Sequence, residues 1–452
     1  MIKGQITVEI LISLFIVVVA MSAAIMLLFG SQSISLDVEL NNQALQKAGE
    51  QIENSRALSR QDFNSVISSS TTEDIYLKET IVEDIDICTK KVTSRISWQT
   101  DPSRPQKIEL VTLVADKQAL IETGGDGGGS LPTGNWQNPQ TLASIDVGAG
   151  NQATDVDVFG NIVYISTQAS SKSKPDIHSY DVSNPASPSF LNNLDVDAYS
   201  LAAIDYNAGY VYGASTGVIP DLKVINANNP ANLNVASEFN VIAGVDAKSI
   251  LKANTVVYLG VQKSSIAEEF FVINATNPLE PSLINVFEIN GDVNKISLKN
   301  HLIYLATSRD DKELFILDVN DPVNVSEAGY FNISGTADAN SVFVQSPSRV
   351  FLGVGNVFYA LNASDPLNVS IIGSLDVGGN INDIYVAGDL AFLATSNNNK
   401  EFQVINVSNL ANPVLYSYFN FPQIATGVDY KDNIIYVSVR SNDGLRIITS
   451  NP

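Results

Sequence analysis

Hydrophobic residues follow three rhythms along this chain, and the changes between them divide it. From Ile10 to Phe29 every residue is apolar except Ser13 and Ser22. A helix of that length rises about 30 Å, enough to cross a bilayer core. The pattern then turns amphipathic through SQSISLDVELNNQALQKAGEQIENSRALSR, where Val38, Leu45, Ala48, Ile52 and Ala57 recur at helical intervals without an internal proline. Three strand-like segments follow: EDIYLKETIVEDIDI, TKKVTSRISW and KIELVTLVA. They predict a membrane helix over 10–30, its continuation to about residue 60, and a small antiparallel sheet at about 75–115. The stretch ETGGDGGGSLPTGNWQNP, residues 122–139, has no apolar period and reads as a flexible joint. It lacks the preceding strand and the Gly-Lys-Ser/Thr ending of a phosphate loop.

Past the joint the third rhythm is a repeat. Short polar turns end in proline at Pro185, Pro230, Pro278, Pro322, Pro366 and Pro452, with Leu410 in the proline place of the sixth copy. Successive copies lie 42 to 48 residues apart, in the range of propeller blades. An apolar pair followed by an aromatic marks each copy again, at Tyr164, Tyr212, Tyr258, Tyr304, Phe351, Phe392 and Tyr436. Within a copy the pattern reads as four short strands, so residues 140–452 predict an all-β, seven-bladed propeller. The last copy stops after its third strand, and the strand around Leu142 to Val147 is expected to complete it.

Composition narrows the chemistry. The net charge of −22 makes nucleic acid and anionic surfaces poor partners, and 45 % apolar residues exclude wholesale disorder. Cys88 is the only cysteine and there are two histidines, so no metal site, no cofactor and no catalytic set is expected. Inner strands are expected to start at TDVDV, YSLAA, KSILK, NKISL, NSVFV, NDIYV and TGVDY, placing Asp157, Lys248, Lys295 and Asp383 near the central channel. His178 and His301 lie about three blades apart and are read as packing or surface residues, as are Cys88 and Trp98. No aspartate cluster has the DxDxDG spacing of a calcium loop. Asn274, Asn324, Asn332, Asn362, Asn368 and Asn406 each begin an Asn-x-Ser/Thr glycosylation acceptor.

Two resemblances extend this reading. Gly4-Gln5, then Glu9, then the apolar run resembles the class III signal of type IV pilins and pseudopilins. The resemblance implies a leader over 1–4, cut by a prepilin peptidase between Gly4 and Gln5, and N-methylation of Gln5. It makes Glu9 an assembly contact pairing with the Gln5 amine of a neighbouring subunit; otherwise Glu9 sits in a headgroup region. Residues 5–121 would form an α+β pilin-like module, and the VINxxNP turns of 140–452 resemble the LVIVD-repeat propellers. The function expected is a minor or tip pilin-like subunit displaying an extracellular β-propeller as a binding or adhesion module. The alternatives are a pseudopilin of a type II secretion or DNA-uptake machine, and a pilus-displayed enzyme; the first reading is not an enzyme. The expected partners are the peptidase, other pilin subunits, the membrane before assembly, and an extracellular protein or glycan. The expected location is a cytoplasmic membrane, single-pass, then the cell surface or a filament.

Overall fold

A computed structural model of the chain describes residues 21–22, 37–59, 65–86, 89–100, 104–115, 131–169, 171, 174–196, 200–217, 221–241 and 245–451. Contacts divide the chain into Met1–Lys117 and Gln118–Pro452.

The first unit lays one helix, α1 (residues 37–59), on a sheet of four antiparallel strands in sequential order. These are β1 (Ser69–Glu73), β2 (Tyr76–Asp86), β3 (Thr89–Trp98) and β4 (Gln106–Ala115). Leu40, Ala44, Ala48 and Ile52 form the buried stripe of α1, a clean four-residue spacing. Val38 and Leu45, expected on that face, are more than 45 % exposed because they sit two positions and one position off the stripe. The two alanines let the helix lie close to Tyr76, Ile96 and Trp98, whose rings and side chains complete the core.

The second unit is a ring of seven four-stranded antiparallel blades. Their inner strands are Asn151–Phe159, Ser200–Asn207, Ala247–Ala253, Val293–Lys299, Ala339–Ser346, Ile381–Ala387 and Ala425–Lys431, blades 1 to 7. Each inner strand adjoins the next, and that of blade 7 adjoins that of blade 1, so the ring is closed. Blades 1 and 2 are also joined by one backbone pairing, Ser200 with Gln168. The aromatic of each repeat is buried, from Tyr258 at 4 % exposure to Tyr304 at 0 %, and the cores lie between facing blades. Blade 7 takes its outermost strand from the other end of the unit: β5 (Asn135–Ile145) pairs antiparallel with Leu445–Asn451. That strand begins inside the glycine-rich stretch because Trp136 is anchored. Its indole is buried, meets the Phe392 ring at 4.9 Å and donates to Asn433 Oδ1 at 3.0 Å.

Two expectations are corrected. The described chain is almost all β, with α1 its one sizeable helix, so the α+β class built on a long membrane-spanning helix does not hold. Among the described residues no helix is long and apolar enough to cross a membrane, which removes the basis for single-pass placement in a cytoplasmic membrane. The helix that is described, α1, is the amphipathic stretch, in which Glu39, Lys47, Glu50 and Glu53 break the apolar surface into one narrow stripe. Gly4, Gln5, Glu9 and the apolar run, apart from Met21 and Ser22, lie outside the described residues, as does Cys88.

Candidate functional site

Every inner strand carries a register shift at the same place, for instance between Ala153 and Asp155 and between Ile381 and Asp383. A bulge re-aims the side chains that follow it. The residue after the shift is Asp155, Ala203, Ser249, Lys295, Ser341, Asp383 or Gly427, blade by blade. Two residues further on stand Asp157, Asp205, Leu251, Ser297, Phe343, Tyr385 and Asp429. All of these positions but Ala203, Ser249, Ser341 and Gly427 line a central cavity of about 110 Å³, which holds five carboxylates and the Lys295 ammonium.

The carboxylates stitch blade to blade. Asp155 accepts from the Ile204 N–H at 3.0 Å, Asp383 from Val428 at 3.1 Å, and Asp429 from Val158 at 2.8 Å. Asp157 and Asp205 accept in the same way from Tyr206 and Lys252. Where the carboxylate is ionised, each such hydrogen bond contributes roughly 1.5–3 kcal/mol. Lys295 Nζ lies 2.8 Å from Asp383 Oδ1 and keeps 29 % of its side chain exposed.

Burial pushes the Asp155 carboxyl up to about 6, against the pull of Lys295 and with the help of Asp383. Burial likewise raises Asp205 to about 7, while the Lys252 backbone and ammonium oppose it. Burial would depress Lys295, but Asp383 and Asp155 outweigh it and hold the ammonium above its ordinary value.

Of the residues placed near the channel from sequence, Asp157, Lys295 and Asp383 line it. Lys248 does not; it pairs with Asp292 at 2.5 Å across to blade 4. Asp155, Asp205 and Asp429 were missed. Blade 2 is the clearest case: AAIDY, not YSLAA, aligns with TDVDV, which puts Asp205 beside Asp157.

A second set of acids also recurs. Asp176, Asp221, Glu269, Glu313 and Glu401 precede the third strands, are buried, and each accepts the N–H found twenty residues later, as Glu401 does from Phe421 at 2.7 Å. The signal was legible in DIHS, DLKV, EFFV, ELFI and EFQV.

His178 is buried in the third strand of blade 1 and His301 is exposed at a turn. Among the described residues no group of histidine, cysteine or acidic side chains is arranged to hold a metal. All the acceptor asparagines but Asn332, which follows the strand Ser326–Phe331, sit in the repeated turns or beside them. Asn274, Asn362 and Asn406 accept from the N–H two residues on, at 3.0, 3.0 and 2.9 Å. Asn324 and Asn368 donate their amides to Asp321 and Asp365, and Asn332 is exposed.

No family model and no curated protein matches the chain. Solved structures do. Virginiamycin B lyase from Staphylococcus aureus is similar at 8 % identity, covering 70 % of this chain and 99 % of that one, with a TM-score of 0.53. The WD40 β-propeller domain of Doa1 is similar at 12 % identity, covering 70 % and 97 %, with a TM-score of 0.54. At such identities the likeness shows the fold alone, and that fold is a β-propeller.

Proposed function

We propose that this chain is a binding protein, not an enzyme, whose propeller presents a rigid surface to an extracellular protein or glycan. One observation supports this most. The polar side chains of the channel are engaged in holding blades together, and their cavity of about 110 Å³ is well below the roughly 300–1,000 Å³ of common ligand pockets. Recognition then falls to the loops and clefts of the ring, where a propeller can vary its surface without disturbing its core. The test is saturable binding of the full chain to panels of glycans and extracellular proteins. Turnover of a substrate without any such binding would overturn the reading.

The finer reading is a minor or tip pilin-like subunit bearing an LVIVD-type propeller, with a pseudopilin as its alternative. It rests on the Gly4-Gln5 junction, on Glu9 and on the VINxxNP turns. A bulky residue at Gly4 should block cleavage by the peptidase. A variant of normal mature mass would sink it.

A further inference from the structure

Six of the seven joints between blades are closed by one position of the fourth strand, the residue beside its register shift. Asn192 Nδ2 donates to the Ala231 carbonyl at 3.1 Å, Ser237 Oγ to Pro278 at 2.6 Å, Asn285 Nδ2 to Val323 at 2.9 Å, and Ser417 Oγ to Trp136 at 2.7 Å. Gly329 and Gly373 lie so close to the next blade that an added Cβ would stand 1.9 Å from the Pro366 oxygen and 2.3 Å from that of Leu410. In blade 7 the same register position is Ala143, opposite Ile447. Alanine has no donor to offer and is larger than glycine, and at this joint an open cleft of about 730 Å³ is lined by residues 142–148 and by blade 1, beside the core in which Ile145 and Val147 pack with Val156, Val163 and Tyr180.

The blade 1 wall of the cleft holds His178, 2 % exposed, whose Nε2 has no hydrogen-bond partner. A buried polar atom without a partner is costly and asks for one. Two polar counterparts of His178 are provided for, Lys223 Nζ donating to Glu238 at 2.5 Å and Gln403 Nε2 to the Val377 carbonyl at 2.9 Å, while Arg446 of blade 7 pairs with Asp443 through Nη2 and leaves its Nε without a partner. Phe271 and Phe315 carry no polar side-chain atom at all. At the mouth, Phe190 is 55 % exposed with Tyr180 edge-on at 5.5 Å, beside the exposed Asp146 carboxylate and Asn193 amide. Burial lowers the His178 imidazole to about 4, so it meets a ligand uncharged at neutral pH.

An aromatic face ringed by a carboxylate, an amide and a neutral imidazole matches a sugar, with its apolar ring face and hydroxyl edge. Asp146 and the net charge of −22 disfavour an acidic one. We propose that the cleft between blades 7 and 1 binds a neutral saccharide, stacked on Phe190 with a hydroxyl hydrogen-bonded to His178 Nε2. This rests on the binding reading above and names its ligand class and place.

The test screens the full chain on an array of neutral glycans and titrates the tightest against three variants. His178→Phe installs the residue that blades 3 and 4 already carry there, Phe190→Ser changes an exposed ring, and Ala143→Ser restores a donor at the seam. Each should weaken binding by about tenfold or more while the melting temperature stays within a few degrees. Should His178→Phe fail to fold, Phe190→Ser decides. A glycan bound equally well by these variants overturns the proposal and leaves the binding reading standing. So does a protein ligand with no glycan bound. An absence of any binding overturns both.

Discussion

At the scale of single residues, the channel turns the chain's acidity into a pH dependence. Asp155 and Asp205 titrate well above their ordinary 3.8 when folded, because burial disfavours their charged forms. Between about pH 4 and pH 7 the folded chain therefore holds protons that the unfolded chain has released. Stability from these two groups is present at low pH and is lost as pH rises through that window. Asp205→Asn keeps an acceptor for the Lys252 N–H and removes the titration. Urea unfolding should show wild type losing about 2–4 kcal/mol relative to this variant between pH 4.5 and 7.5. Parallel profiles would contradict the shift. Lys295→Met removes the only cation among the side chains lining the cavity and leaves Asp383 buried beside other carboxylates. Its cost at pH 7 should be about 2–3 kcal/mol, less than for a wholly buried pair because Lys295 is partly solvated. That cost should shrink toward pH 5. Half of this site was legible in the sequence. Asp157, Lys295 and Asp383 could be placed by counting along repeats, but Asp205 depends on the phase of blade 2, and a bulge that adds one residue to every inner strand hides that phase.

At the scale of elements, what the repeats announced and what they concealed have a common cause. The polar turns were legible because Asn and Asp close them by accepting from the backbone two residues on, as Asp181 does from Ser183 at 2.7 Å and Asp318 from Asn320 at 2.8 Å. That same bond explains why acceptor asparagines recur there. The helical stripe was harder to read, since Val38 and Leu45 look as apolar as Leu40 and Ala44, and only the sheet beneath selects between adjacent faces. Trp136 was hidden by its company, a single aromatic among glycines and prolines. Yet it fills the place at blade 7 that other blades give to a polar turn, accepting from Ser417 and packing on Phe392. Trp136→Ala should cost about 3–5 kcal/mol in chemical denaturation, and Trp136→Phe clearly less. A loss below 1 kcal/mol for the alanine variant would mean that the indole merely rests on the surface.

At the scale of the whole ring, closure depends on a strand taken from the far end of the propeller's own sequence. Neighbouring blades share cores built from both their faces, so no blade can be removed without exposing two others. Six blades are nevertheless continuous in sequence and can form their four-stranded sheets locally. Blade 7 cannot, because β5 and Leu445–Asn451 are separated by almost the full length of the unit. Its loop-closure entropy is therefore met last, after the local sheets have formed. Deleting residues 135–145 removes a whole ladder of backbone bonds together with Trp136 and frees an edge on Leu445–Asn451. At roughly 2 °C per kcal/mol for a domain of this size, the melting temperature should fall by about 10 °C or more, with proteolysis starting in blade 7. If the shortened chain melted at the wild-type temperature, the shared cores alone would be holding the ring. The β5 strand would then serve chiefly to build one wall of the cleft against blade 1.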